Sequence, residues 1–206
     1  MAMIDSLMVG FERCLNICKI PQEAAQRAAI PSNSYGDRWI YEGGIRFIDF
    51  SLKYRPETEV VLKSVNLNIL PSEKIGVVGR TGAGKSTLCL ALCRIIEAHS
   101  GRIEIDGVDI STLGLSDLRD RITIIPQEST LFENTLRFNL DPESKCTEEE
   151  ITELINKASL TNLIVNSEHG LERPVSAKGD NLSSGEKQLI CICRAILRVR
   201  HYSLSV

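Results

Sequence analysis

The apolar run IGVV at residues 75–78 passes without a break into GRTGAGKST at residues 79–87, and a helical pattern follows. Few short stretches constrain a chain more. The spacing G-x-x-x-x-G-K-[ST], set between a strand and a helix, is the sequence form of a loop whose backbone N–H groups cradle a phosphate. Glycines 79, 82 and 84 allow the tight turns that aim those N–H groups inward. Lys85 supplies a mobile positive charge for the outer phosphates, and the Ser86 hydroxyl is placed for Mg²⁺. The candidate nucleotide-binding loop is therefore Gly79, Arg80, Thr81, Gly82, Ala83, Gly84, Lys85, Ser86 and Thr87.

The surrounding pattern predicts an α/β chain. IGVV, with no polar residue, reads as a strand buried on both faces of a mainly parallel sheet, and RITIIPQ at 121–127 reads as another. Ahead of them, IRFIDFSLKY alternates Ile48, Phe50, Leu52 and Tyr54 against Asp49, Ser51 and Lys53, and VVLKSVNLNI does the same with Val65, Leu67 and Ile69. Both predict half-exposed strands. RIEIDG predicts a short strand entering a turn. Helices are predicted from Lys85 to about Ile96 and from Thr147 to Ala158, the latter opened by a Thr147–Glu150 capping box. Residues 3–19 predict an amphipathic helix with Ile4, Leu7, Met8, Phe11, Cys14, Leu15 and Cys18 on one stripe. Between Pro21 and the sheet the chain is weakly patterned, a linker by composition.

Bulk properties exclude several classes. A net charge of −3 leaves no polybasic footprint, so nucleic acid is not an expected partner. Seven cysteines, an odd count, mostly fall in apolar helical patterns and read as free thiols in a reducing compartment. No apolar run reaches the length of a membrane span.

A second phosphate-seeking feature lies a hundred residues on. In NLSSGEKQ, Ser183 and Glu186 have capping-box spacing, and Ser184 and Gly185 keep the helix start small. A helix N-terminus of this kind attracts anions. With GRTGAGKST, IIPQE (124–128) and KYRPETEVVLKSVNL, this LSSGEKQ run resembles the ATP-binding-cassette family, whose signature is more commonly LSGGQ. GRTGAGKSTL, TLRFNLDP, INKASL and the opening MVGFERCLNICKIPQEA are most similar to the second nucleotide-binding domain of subfamily C transporters, the multidrug-resistance-associated type.

The resemblance implies a P-loop NTPase core with an antiparallel β subdomain and a helical signature subdomain. It implies ATP and Mg²⁺ as ligands, with Tyr54 stacking on adenine, although Tyr54 also ends an amphipathic strand where edge packing would account for it. Gln127 would reach Mg²⁺ or the attacking water as the catalytic and metal-facing residue, with Ser86 on the metal. Ser183, Ser184, Gly185 and Glu186 would close over an ATP held by a partner domain arranged head to tail. Residues 1–43 would follow the last transmembrane helix of a parent transporter, and 44–206 would form an incomplete nucleotide-binding domain at the cytoplasmic face of a membrane. The incompleteness is the departure that matters. An apolar strand ending in Asp-Glu should follow the signature helix, whereas HYSLSV carries no acid and reads as a weak strand. Ala177 also stands where relatives often have an acidic residue. The implied activity is ATP-driven export of organic anions or conjugates; the alternatives are a non-hydrolysing regulatory module, an inactive fragment, and a soluble cassette protein acting on DNA or ribosomes.

Overall fold

The computed structural model describes residues 2–20, 22–27, 40, 42–165 and 167–203. Four strands form an antiparallel sheet in the order β2-β1-β3-β4: β1 (Ile45–Leu52), β2 (Leu62–Ile69), β3 (Ser100–Ile105) and β4 (Val108–Asp109). β3 turns into β4 through Asp106 and Gly107, both at positive φ, the pairing a two-residue hairpin requires. The Asp106 carboxylate also accepts the backbone N–H groups of Glu42, Gly43 and Gly44, which pins the entry to β1.

β1 departs from simple alternation. Asp49 sits at φ 44, and both ladders skip there: Phe47 pairs Leu67 and Phe50 pairs Val65 on one side, while Ile48 pairs Arg102 and Ser51 pairs Ser100 on the other. An extra residue flips the face of everything beyond it. Phe47, rather than the expected Ile48, therefore shares the core face with Phe50, their rings 5.5 Å apart and edge to face. The Asn66 side chain holds the bulge, accepting from the Asp49 N–H and donating to its carboxylate. In β2 the expected alternation of Val65, Leu67 and Ile69 holds.

Helix α1 (Ala2–Cys18) precedes the sheet, and the described members of its apolar stripe (Met8, Phe11, Cys14, Leu15, Cys18) are exposed; the side chains of Ile4 and Leu7 lie outside the description. Among the described residues no helix is long and apolar enough to cross a membrane. The phosphate-loop helix α2 spans Lys85–Leu92 and stops a turn before Ile96. Arg94 adopts φ 48 just past its end, and the bonds Arg94 N–H to Ala91 O and Ile95 N–H to Leu90 O form a Schellman closure with arginine where glycine is usual. Arg94 is 7% exposed, and its guanidinium is consumed by Glu97 and the carbonyls of Ile110 and Leu113. These bonds offset the strain. The sheet, α2 and the short helix α3 (Leu115–Arg119) enclose one apolar core around Phe50, Leu52, Ile103 and Leu118.

A second core belongs to the helices α4 (Leu136–Leu140), α5 (Glu148–Lys157), α6 (Asn162–Val165) and α7 (Ser184–Ser203), beside a two-stranded ribbon of β5 (Asn134–Thr135) and β6 (Pro174–Val175). α5 begins at the expected reciprocal Thr147–Glu150 box. The buried Asn139 bonds the Phe132 and Thr135 backbone and accepts from Arg194, tying α4 to α7.

Two expectations fail. IGVV and the segment 122–126 carry no ladder hydrogen bonds among the described residues; IGVV, Ile124 and Ile125 face solvent, Val78 being 94% exposed, while Ile122 is partly buried against the sheet core. A strand exists only through its neighbour, and none of the described strands reaches either segment. HYSLSV is likewise not a strand where it is described: α7 continues through Ser203, and 204–206 lie outside the description. Leu189, Ile192, Ile196 and Val199 consequently form an exposed stripe on α7. Bare apolar backbone of this kind templates aggregation. The double variant Val78→Lys/Ile125→Lys is expected to raise the soluble fraction of the purified chain, read by light scattering on concentration; unchanged scattering would mean that these segments do not drive association.

Candidate functional site

The loop between IGVV and α2 has the geometry of an anion cradle. Gly82 and Gly84 stand at φ 83 and 87, and Gly84 is the N-cap of α2 with no side chain capping the helix. The first-turn N–H groups therefore point outward unsatisfied, with the positive end of the helix dipole behind them. Gly84 also has no room for a side chain: a Cβ there would lie 2.9 Å from Leu62 Cδ2, so the helix start packs directly on β2. Lys85 Nζ arches back over the loop and donates to the carbonyls of Gly79 (2.7 Å) and Arg80 (2.9 Å). Its ammonium thus sits at the mouth of the turn, where it can exchange a carbonyl for a phosphate oxygen.

Two further predicted residues meet here. The Tyr54 hydroxyl lies 2.9 Å from Thr87 Oγ1, and Thr87 is buried, whereas the Tyr54 ring is half exposed beside the loop. Arg80, Thr81, Ala83 and Ser86 are exposed around the same turn. The donor set fits a nucleotide polyphosphate: an uncapped helix start, one flexible cation and an aromatic face. It fits Mg²⁺ only as an ion shared with the nucleotide, because Ser86 offers one oxygen and no cluster of metal-holding side chains occurs among the described residues. Gln127 is exposed at the end of the unpaired 122–126 segment, and no hydrogen bond joins it to the loop among the described residues.

The second predicted site forms separately. Ser183 caps α7: its N–H (2.7 Å) and Oγ (2.6 Å) donate to Glu186 Oε2, and its Oγ accepts the Glu186 N–H at 3.3 Å. These bonds hold the Glu186 carboxyl below the ordinary glutamate range. Nothing lies within 4 Å of where a Gly185 Cβ would be, so the helix start is open to whatever approaches it, and Ser184 is exposed beside it. Asn181 braces the preceding loop, accepting from the Ser176 N–H and donating to Pro174 O.

Sequence patterns missed the residues that hold the far end of α2. The Arg119 guanidinium caps it, Nε donating to Cys93 O (3.0 Å) and Nη2 to Arg94 O (2.9 Å). No local signal marks Arg119, because its partners lie 25 and 26 residues away.

Comparison with known proteins agrees with this geometry. The family described as ABC transporter matches residues 62–204. The ATP-binding cassette transporter abc2 of Schizosaccharomyces pombe is 46% identical over 194 residues, covering 94% of this chain and 13% of that protein. The vacuolar heme ABC transmembrane exporter abc3 of the same yeast is 48% identical over 189 residues, 92% of this chain and 13% of its own length. ATP-binding cassette sub-family C member 2 of Mus musculus is 49% identical over 160 residues, 78% of this chain and 10% of that protein. The chain thus spans about an eighth of the length of the curated relatives it matches. A solved bacterial Atm1-family ABC exporter with ATP bound superposes with a TM-score of 0.79 at 25% identity, over 95% of this chain and 34% of that one. In sequence and in fold, the chain belongs to the ABC transporter family.

Proposed function

We propose that residues 44–206 act as the ATP-binding unit of a subfamily C exporter, the second of its two nucleotide-binding domains, and that residues 1–43 link it to a membrane-spanning part. The observation that carries this reading is the uncapped start of α2 behind a glycine turn with Lys85 folded across it. Gly79 to Thr87 hold the phosphates, Tyr54 offers its ring to the base, and Ser86 and Gln127 would hold Mg²⁺. When bound, that ion supplies charge neutralisation at the outer phosphates. The open start of α7, with Ser183, Ser184, Gly185 and Glu186, faces an ATP carried by the partner domain. The unit works at the cytoplasmic side of a membrane, and the exported class is organic anions or their conjugates, as similarity to subfamily C supports.

Titration of a fluorescent ATP analogue tests the loop. Hydrogen bonds to charged groups contribute about 1.5–3 kcal/mol, so Lys85→Ala is expected to weaken binding about 10- to 100-fold. Equal affinity for the two proteins would overturn the assignment.

A further inference from the structure

The phosphate-loop helix is gripped at its far end by a side chain that also holds the linker. Arg119 spends Nε and one Nη2 bond on the two carbonyls just past the end of α2, Cys93 O at the C-cap and Arg94 O after it, where a cation complements the helix dipole. The same guanidinium meets Glu23 in two bonds, Nη2 to Oε1 at 2.9 Å and Nη1 to Oε2 at 3.3 Å. Next to that ion pair the linker carbonyls cap the first turn of α3. The Leu115 N–H donates to Ala25 O (3.0 Å), the Ser116 N–H to Gln26 O (2.9 Å), and Ser116 Oγ to Gln26 Oε1 (3.0 Å). α7 reaches the same place, since Arg198 Nη2 donates to Arg119 O (3.0 Å) and lies 3.5 Å from Asp120. One arginine therefore touches the linker, the phosphate-loop helix and, through its carbonyl, the signature helix.

We propose that Arg119 is a positioning residue that couples docking of linker residues 23–26 to nucleotide occupancy of the phosphate loop, so that each strengthens the other; this rests on the nucleotide reading above. α2 has only eight residues, about 12 Å of rise. A phosphate drawn onto its N-terminus fixes the helix along its axis, and its C-terminal carbonyls are then held where Arg119 can meet them and Glu23 together. Coupling of this kind is reciprocal by thermodynamic necessity. A linker pulled away by the segment before it loosens the nucleotide, and a bound nucleotide seats the linker.

Hydrogen exchange at the Leu115 and Ser116 amides reports docking directly, because their acceptors are linker carbonyls. In the full chain, a non-hydrolysable ATP analogue with Mg²⁺ is expected to slow exchange at these two amides about two- to fivefold. Glu23→Gln, at an exposed position that leaves the Arg119 cap in place, is expected to weaken the analogue by the same factor. Arg119→Lys keeps the charge but not the fork, and is expected to abolish the response while exchange at Ile103 in the sheet stays unchanged. A merely structural Arg119 would not make remote amides answer to nucleotide. If the analogue binds in a Lys85-dependent way, yet Leu115 and Ser116 do not respond or Glu23→Gln leaves its affinity unaltered, the inference falls alone. If binding does not depend on Lys85, the nucleotide reading falls and takes the inference with it.

Discussion

Phosphate release from ATP by the purified 206-residue chain is expected at the background rate, unchanged in Lys85→Ala, even though nucleotide binds. Transfer of a phosphoryl group asks little covalent chemistry of a protein; it asks that water be oriented and that developing charge be stabilised. The phosphate loop supplies the second. For the first, a carboxylate must stand within reach of the outer phosphate, and a positioned acid or base contributes about 10²- to 10⁴-fold. In this polypeptide no Asp or Glu follows Glu186, and Glu186 itself is engaged with Ser183 at the start of α7. Gln127 is a neutral amide on an exposed segment, and no hydrogen bond joins it to the loop among the described residues. Binding without turnover is therefore the expected result for this polypeptide. Phosphate release that exceeds buffer and disappears in Lys85→Ala, measured on a highly purified sample, would overturn this expectation.

Gly101→Ala is expected to remove a large fraction of the stability of the chain by opening the antiparallel sheet. Gly101 lies under the β1 bulge at φ +74, and a Cβ there would stand 2.3 Å from Asp49 O and 2.4 Å from Ile48 O. Those are backbone atoms and cannot rotate aside. Relief requires β1 to lift from β3, which dissolves the register that sets Ile48 against Arg102 and Ser51 against Ser100 and uncovers Phe50 and Leu52. The left-handed conformation alone costs an alanine about 1–2 kcal/mol, and forced overpacking about 1–3 kcal/mol more. Against a total of about 5–15 kcal/mol, that is a large fraction. Gly107→Ala is the control, since Gly107 has φ +78 but nothing within 4 Å. It should lose only the conformational part. Denaturant unfolding compares them, and equal losses would show that the close approach of β1 contributes nothing.

What could be read from the residues in advance shares one property: its physics is local. The Thr147–Glu150 and Ser183–Glu186 boxes appear as their spacing requires, because cap and helix lie within three residues. The Asp106–Gly107 turn, the alternation of β2 and the glycine turn ahead of Lys85 are local in the same sense. The expected candidate residues divide accordingly. Tyr54 and Thr87 do come together at the loop, whereas Gln127 is left on an exposed segment.

The sequence by itself determined the phosphate-loop motif, the family resemblance and the caps, since glycine, lysine and hydroxyl residues at fixed spacing act through bonds a few residues long. Only the tertiary structure decided the rest. The bulge at Asp49 arises from two ladders closing on one strand, and it chose Phe47 over Ile48 for the core. IGVV has the composition of a buried strand, yet a strand needs a neighbour to satisfy its backbone, and no described segment pairs with it. Residues 201–203 alternate like a strand but continue α7, for the same reason: helical hydrogen bonds close within the segment, and ladder bonds do not. Arg119 looked like any surface arginine until folding brought Glu23 and the end of α2 to its two sides.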